Sequence, residues 1–276
     1  MSFSNSPEAL KRLQKVKCFV LDMDGTFYLD TEIIPGSLEF YNAILASGRR
    51  ILFLTNNSSH DRDHYVDRLT TMGVPVTEEN VYTSGMAAAQ YLNRVWPGKR
   101  VYCMGNEFLT RELGRYGIVP VEDDPDLVLV GFDTTLTYEK LVKTCDFVRA
   151  GLPYIATHPD YNCPTRTGFI PDLGAMMALI EASTGRKADV IIGKPYTEIV
   201  NGMLEMTGLS PEELCVCGDR LYTDIATGVN SGILSVCVLT GETSAEDVEK
   251  STVKPDLLVE RLYTLVGLLG LEGKEK

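Results

Sequence analysis

Ten apolar runs of β-strand length recur along the chain: CFVLD (18–22), RRILFLTN (49–56), NVYTS (80–84), RVYCMG (100–105), DLVLVG (126–131), LPYIATH (152–158), DVIIG (189–193), LCVCGD (214–219), LSVCVLT (234–240) and PDLLV (255–259). Between most of them lie segments of helical length and period, such as GSLEFYNAILASG (36–48), DHYVDRLTTMG (63–73) and TEIVNGMLEMTG (197–208). Strands that are apolar throughout, joined by helices, predict a parallel sheet with helices on both faces. Gly48, Gly73 and Gly208 fall where such helices end, the place where glycine closes a helix most easily.

Polar residues break this pattern at four strand ends: Asp22 and Asp24, Thr55-Asn56-Asn57, Lys194, and Asp219. Ligands of open parallel sheets bind outside the carboxyl ends of strands, so these four ends would meet on one rim if their strands share a sheet. The long α/β stretch between Thr55 and Lys194 has room for an inserted domain. The expected architecture is a Rossmann-like core built from 1–84 and 186–276, with a smaller α/β domain inserted over 85–185 above that rim.

Composition narrows the partners. The 276 residues are 44% hydrophobic and 23% charged, ordinary for a globular protein. A net charge of −12, with no compensating block of Lys and Arg, disfavours nucleic acid and anionic lipid. No apolar run approaches the roughly 20 residues of a membrane span, and the N-terminal stretch has no signal-peptide pattern. Seven cysteines without a C-x-x-C pair predict reduced, buried thiols and a cytoplasmic setting.

Each strand end has an ordinary use as well as a chemical one. Asp22-x-Asp24-Gly25 serves as a turn, Asp224 or Thr55-Asn56 as a helix cap, and Lys194 as a surface charge. Their chemical use is shared. Two acidic strand ends, Asp22/Asp24 and Asp219 with Asp224, offer the oxygen ligands that Mg²⁺ prefers. Thr55, Asn56, Asn57 and Lys194 offer hydroxyl, amide, backbone N–H and ammonium donors for phosphate oxygens.

In order along the chain, the motifs LDMDGT, LTNNSS, IIGKP and CGDRLYTDI resemble those of the haloacid dehalogenase superfamily. The insert between the second and third motifs, with PYIATHPDYNCPT inside it, is similar to the branch of p-nitrophenyl and nucleotide or phosphoglycolate phosphatases. The resemblance covers nearly the whole chain. It implies a Mg²⁺-dependent phosphatase of small phosphomonoesters that works through an aspartyl-phosphate. It assigns Asp22 as nucleophile and Asp24 as general acid and base. The metal would be held by Asp22, the Asp24 backbone, Asp219 and Asp224, and phosphate by Gly25, Thr55, Asn56, Asn57 and Lys194. His158 and Asp160 would face the substrate from the cap, although many relatives carry Asn where this chain has His158. Caps of this type often dimerise, so a homodimer through the cap is also an expectation.

Two other classes stay open at this level. A phospho-acceptor signalling module also uses a strand-end Asp, a Thr, a Lys and Mg²⁺, but is much shorter. A non-catalytic binder of phosphometabolites would use the same scaffold with a motif residue missing, and none is.

Overall fold

A computed structural model describes residues 6–165 and 167–272. Two compact units divide the chain. One takes the described residues within Met1–Leu54, Val66–Val81 and Leu204–Lys276, the other Thr55–Tyr65 and Tyr82–Met203. The second unit takes in more than 85–185, because hydrogen bonds such as Ser58 Oγ to Thr157 Oγ1 and Ser84 Oγ to Asn56 O tie flanking segments to it.

The larger sheet has six strands in the order Leu257–Val259, Leu234–Val238, Leu214–Gly218, Cys18–Leu21, Arg50–Thr55 and Val81–Thr83. The five strands from Leu257–Val259 to Arg50–Thr55 in this order pair in parallel. Cys18–Leu21 is buried at every position, which explains why it reads as a continuous apolar run. Its register sets the site: Leu21 lies opposite Cys217 on one side and Phe53 on the other. Asp22 therefore leaves its strand beside the end of Leu214–Gly218. Phe27 packs edge-on against Phe53 at 4.9 Å and Phe19 against Phe40 at 5.4 Å, anchoring the strand below the rim.

The second unit has its own four-stranded parallel sheet, ordered Val190–Ile191, Tyr154–Ala156, Leu127–Val130 and Val101–Met104. Its core is Tyr102, Met104, Val128, Val130, Phe132 and Tyr154, with Cys145 and Val148 of helix Tyr138–Arg149 and Leu173 and Ile180 of helix Leu173–Thr184. An antiparallel hairpin, Asn162–Thr165 with Gly168–Pro171, follows Tyr154–Ala156 in the chain. It was not predicted from the sequence. Pro164 and Pro171 remove ladder donors, and its residues are largely exposed, so no apolar run marks it.

All ten predicted strand runs are present. Helix Pro7–Lys15 is an addition, with Ser6 Oγ accepting from the Ala9 N–H at 3.1 Å and proline in its first turn. Among the described residues no helix is long and apolar enough to cross a membrane. All seven cysteines are unbridged, and five of them are buried.

Candidate active site

The rim above Cys18–Leu21 begins with Asp22, whose N–H donates to Cys217 O at 2.9 Å and so prolongs the ladder by one residue. The chain then turns sharply: the carbonyl of Met23 accepts from the N–H groups of Phe27 and Tyr28. Gly25 sits at φ +84°, and a Cβ there would lie 2.6 Å from Asp219 Oδ2. Only glycine gives both the left-handed backbone and the close approach. Gly218 is needed for a similar reason, since its Cβ would fall 2.2 Å from Asp224 Cβ.

These approaches bring carboxylates from two distant parts of the chain together. Asp22, Asp219 and Asp224 each offer one oxygen, all within 4.8 Å of one another. Asp219 is held by Thr26 Oγ1, donating to Oδ1 at 3.2 Å, and by the Glu242 N–H, donating to Oδ2 at 2.7 Å. Asp224 Oδ2 accepts from the Arg220 N–H at 3.2 Å. Burial, reinforced by the charge of Asp224, pushes the Asp219 carboxyl up to about 6. Three convergent carboxylate oxygens and this excess of negative charge fit a hard divalent cation.

Asp24 is half-buried and lies outside that trio. Burial raises its pKa, while the guanidiniums of Arg68 and Arg220 oppose the rise. Arg68 lies over the Tyr28 ring at 4.6 Å and donates to Asp30 O at 2.6 Å, so it is fixed near the turn. Sequence reasoning passed over Thr26, Arg68 and Arg220. Arg220 had a usable signal, since it follows Asp219 directly. Burial alone would lower its pKa, but Asp22 and Asp219 outweigh that and raise it.

Within the second unit, Thr55, Asn56 and Lys194 are all buried. Thr55 Oγ1 accepts from the Asn57 N–H at 3.1 Å, a lone-pair contact that leaves its hydroxyl hydrogen for an acceptor. The side chains of Asn56 and Asn57 differ from the expectation that both bind phosphate. Asn57 Oδ1 accepts from Ser59 N at 2.8 Å and Ser59 Oγ at 2.7 Å, closing a local turn. Asn56 Oδ1 accepts from Lys194 N at 2.7 Å, while its Nδ2 donates to Lys194 O at 3.0 Å and Asp160 Oδ2 at 2.9 Å. Both amides are engaged inside the protein.

His158 also departs from expectation. It has no exposed surface, and both ring nitrogens are bonded: Nδ1 to Thr157 Oγ1 at 3.0 Å and Nε2 to Asp172 Oδ1 at 2.9 Å. The Asp172 carboxylate only accepts, so Nε2 donates to it; Nδ1 then takes the Thr157 hydroxyl hydrogen, and Ser58 Oγ, which also accepts from the Phe132 N–H, donates to Thr157. That chain selects the tautomer with the proton on Nε2, directed at the Asp172 carboxylate. His158 thus braces the loop, with both ring nitrogens held inside the protein. His158, Asp160 and Asp172 also have ligand atoms within 4.8 Å of one another. Bonds to Thr157, Asn56 and the Leu173 N–H already use these groups, which makes the trio a hydrogen-bonded knot.

A parallel α/β sheet with an acidic trio at the carboxyl end of its strands fits phosphoryl transfer assisted by a divalent cation. Family models agree in two segments: the haloacid dehalogenase-like hydrolase model matches residues 19–119, and a second model of that class matches 191–265. The 4-nitrophenylphosphatase of Thermotoga maritima is 46% identical, with TM-score 0.90 over 94% of this chain and 99% of that one. The p-nitrophenyl phosphatase from Archaeoglobus fulgidus is 31% identical, with TM-score 0.86 over 91% and 98%. An acid sugar phosphatase of Staphylococcus aureus is 35% identical over 88% of this chain and 94% of its own length. The chain belongs to the haloacid dehalogenase-like hydrolases and is a phosphoric monoester hydrolase.

Proposed function

We propose that the protein is a Mg²⁺-dependent phosphatase of small phosphomonoesters, acting through an aspartyl-phosphate on Asp22. The convergence of Asp22, Asp219 and Asp224 carries this reading. Asp22 attacks phosphorus and takes the phosphoryl group, splitting one displacement into two easier ones. Asp24 protonates the departing alcohol oxygen, then accepts a proton from the water that hydrolyses the intermediate. Its raised pKa, due chiefly to burial, supports the first of these roles. Asp22, the Asp24 carbonyl, Asp219 and Asp224 would hold Mg²⁺, which would supply positive charge to the phosphoryl oxygens.

Thr55, the backbone N–H groups around Gly25 and Asn56, and the Lys194 ammonium receive the phosphoryl oxygens, whose charge spreads in the transition state. Residues 85–185 act as the cap that selects the substrate. The names of the relatives, a 4-nitrophenylphosphatase and an acid sugar phosphatase, support p-nitrophenyl phosphate in vitro and phosphorylated sugars or similar metabolites as substrates. Unbridged cysteines support a cytoplasmic location. The exposed Tyr161 and Phe169 of the cap hairpin region support a homodimer formed there.

Purified protein with Mg²⁺ should hydrolyse p-nitrophenyl phosphate, and acid-quenched enzyme should carry a hydroxylamine-labile phosphate absent from Asp22→Asn. A stable phosphoprotein with negligible turnover would favour a signalling module instead.

A further inference from the structure

Asn56 joins three segments through one side chain. Its Oδ1 must accept from the Lys194 N–H and its Nδ2 must donate to the Lys194 carbonyl, which fixes the orientation of the amide. The second Nδ2 hydrogen goes to Asp160 Oδ2. Neither amide hydrogen is left over, so the Asp160 carboxylate and the Lys194 backbone share Asn56 completely. The fit is close: a Cβ on Gly193 would lie 2.6 Å from Asn56 Oδ1 and 2.7 Å from His158 Cβ.

Asp160 is itself held in place. Its carbonyl accepts from the Gly174 N–H at 2.7 Å, and a Cβ at Gly174 would lie 2.9 Å from that oxygen. Two residues earlier, His158 is pinned to Asp172, which caps helix Leu173–Thr184 through the Leu173 N–H at 2.6 Å. A half-buried carboxylate on so rigid a loop is well placed to orient an amide by a charge-assisted bond.

We infer that Asp160 and Asn56 are positioning residues that set the backbone of Lys194, and through it the approach of the Lys194 ammonium to phosphate. Asp160 then governs phosphate affinity whatever the leaving group, which differs from the expected contact with substrate. The inference rests on the reading of Lys194 as a phosphate-binding residue.

The test is calorimetric titration of inorganic phosphate into the Mg²⁺-loaded protein, beside kcat/KM for p-nitrophenyl phosphate and phenyl phosphate. A hydrogen bond to a charged group is worth enough that Asp160→Ala should weaken phosphate binding about tenfold. It should lower kcat/KM by the same factor for both esters. Asp160→Asn keeps an acceptor for Asn56 and should stay within about twofold of wild type. Asn56→Asp removes the donor and sets a carboxylate against Asp160, so it should lose at least as much as Asp160→Ala and keeps the inference testable if Asp160→Ala folds poorly. In a Lys194→Ala background, Asp160→Ala should cost nothing further.

Unchanged phosphate affinity in Asp160→Ala, with a loss that differs between the two esters, would make Asp160 a substrate contact and overturn the inference. A full additional loss in the Lys194→Ala background would also overturn it, as would normal phosphate binding by Lys194→Ala alone. Wild-type protein that binds phosphate but hydrolyses neither ester would sink the proposed function, and the calorimetric comparison would still decide this one.

Discussion

The acidic rim of the first unit and the amide knot of the second are both polar and largely buried, yet their electrostatic balance differs. Around the rim, Asp22, Asp24, Asp219 and Asp224 outnumber Arg68 and Arg220, the guanidiniums that act on Asp24. Burial and mutual repulsion hold Asp219 near 6. In the knot, Asn56, His158 and Asp172 meet donors and acceptors in matched directions, and the bonds lie between 2.6 and 3.0 Å. A buried cluster with surplus charge is built to receive something of opposite sign. A buried cluster whose bonds match one another is scaffold.

Substitutions separate the two most sharply. Asp22→Asn should lower turnover by about a thousandfold or more, because it removes the nucleophile. It should leave the thermal midpoint unchanged or higher, since it relieves like-charge repulsion at the rim. A midpoint well below wild type would show that the rim is also scaffold. Asn56→Ala should do the reverse in emphasis, destabilising by about 2–4 kcal/mol in urea unfolding, because it strands the Lys194 backbone and the Asp160 carboxylate. Unchanged stability would mean water replaces the amide and the knot is not structural.

The next effect concerns pH. Asp219 has a folded pKa near 6 against an ordinary value of 3.8. Between these values the folded chain holds a proton that the unfolded chain has released, so stability falls as pH rises through that window. Without divalent cation the loss should be on the order of 2 kcal/mol between pH 4 and 7. Adding Mg²⁺ at pH 7 should restore most of it and do little at pH 4, where the carboxyl is protonated. Denaturant midpoints at both pH values, with and without Mg²⁺, decide this, and a Mg²⁺ effect equal at both would contradict it. The smallest effect belongs to His158→Asn, whose shorter side chain spans Thr157 and Asp172 poorly. About 1–2 kcal/mol of stability should be lost, with KM for p-nitrophenyl phosphate nearly unchanged. A KM shift that exceeds the stability loss would return His158 to the substrate.

The rim was the more legible region. Its residues stand at the ends of apolar runs, where a carboxylate has no packing reason to be, and two such ends repeat the same grammar around Gly25 and Gly218. The knot was harder to read because asparagine serves equally as a phosphate donor, a turn former or a clamp. Only the partners of Asn56 and Asn57 distinguish these uses. The hairpin Asn162–Thr165 with Gly168–Pro171 escaped notice for a related reason: its strands pair with each other outside a core, so burial imposed no pattern on them.

Local sequence determined the element types, the parallel class of the sheet and the kinds of atom at each strand end, because burial and backbone geometry act over a few residues. Tertiary structure decided which ends meet. The register of Cys18–Leu21 against Leu214–Gly218 places Asp22 beside Asp219, about 200 residues away in the chain. Hydrogen-bond direction is fixed only once Lys194 and Asp160 flank Asn56, and it engages that amide with both.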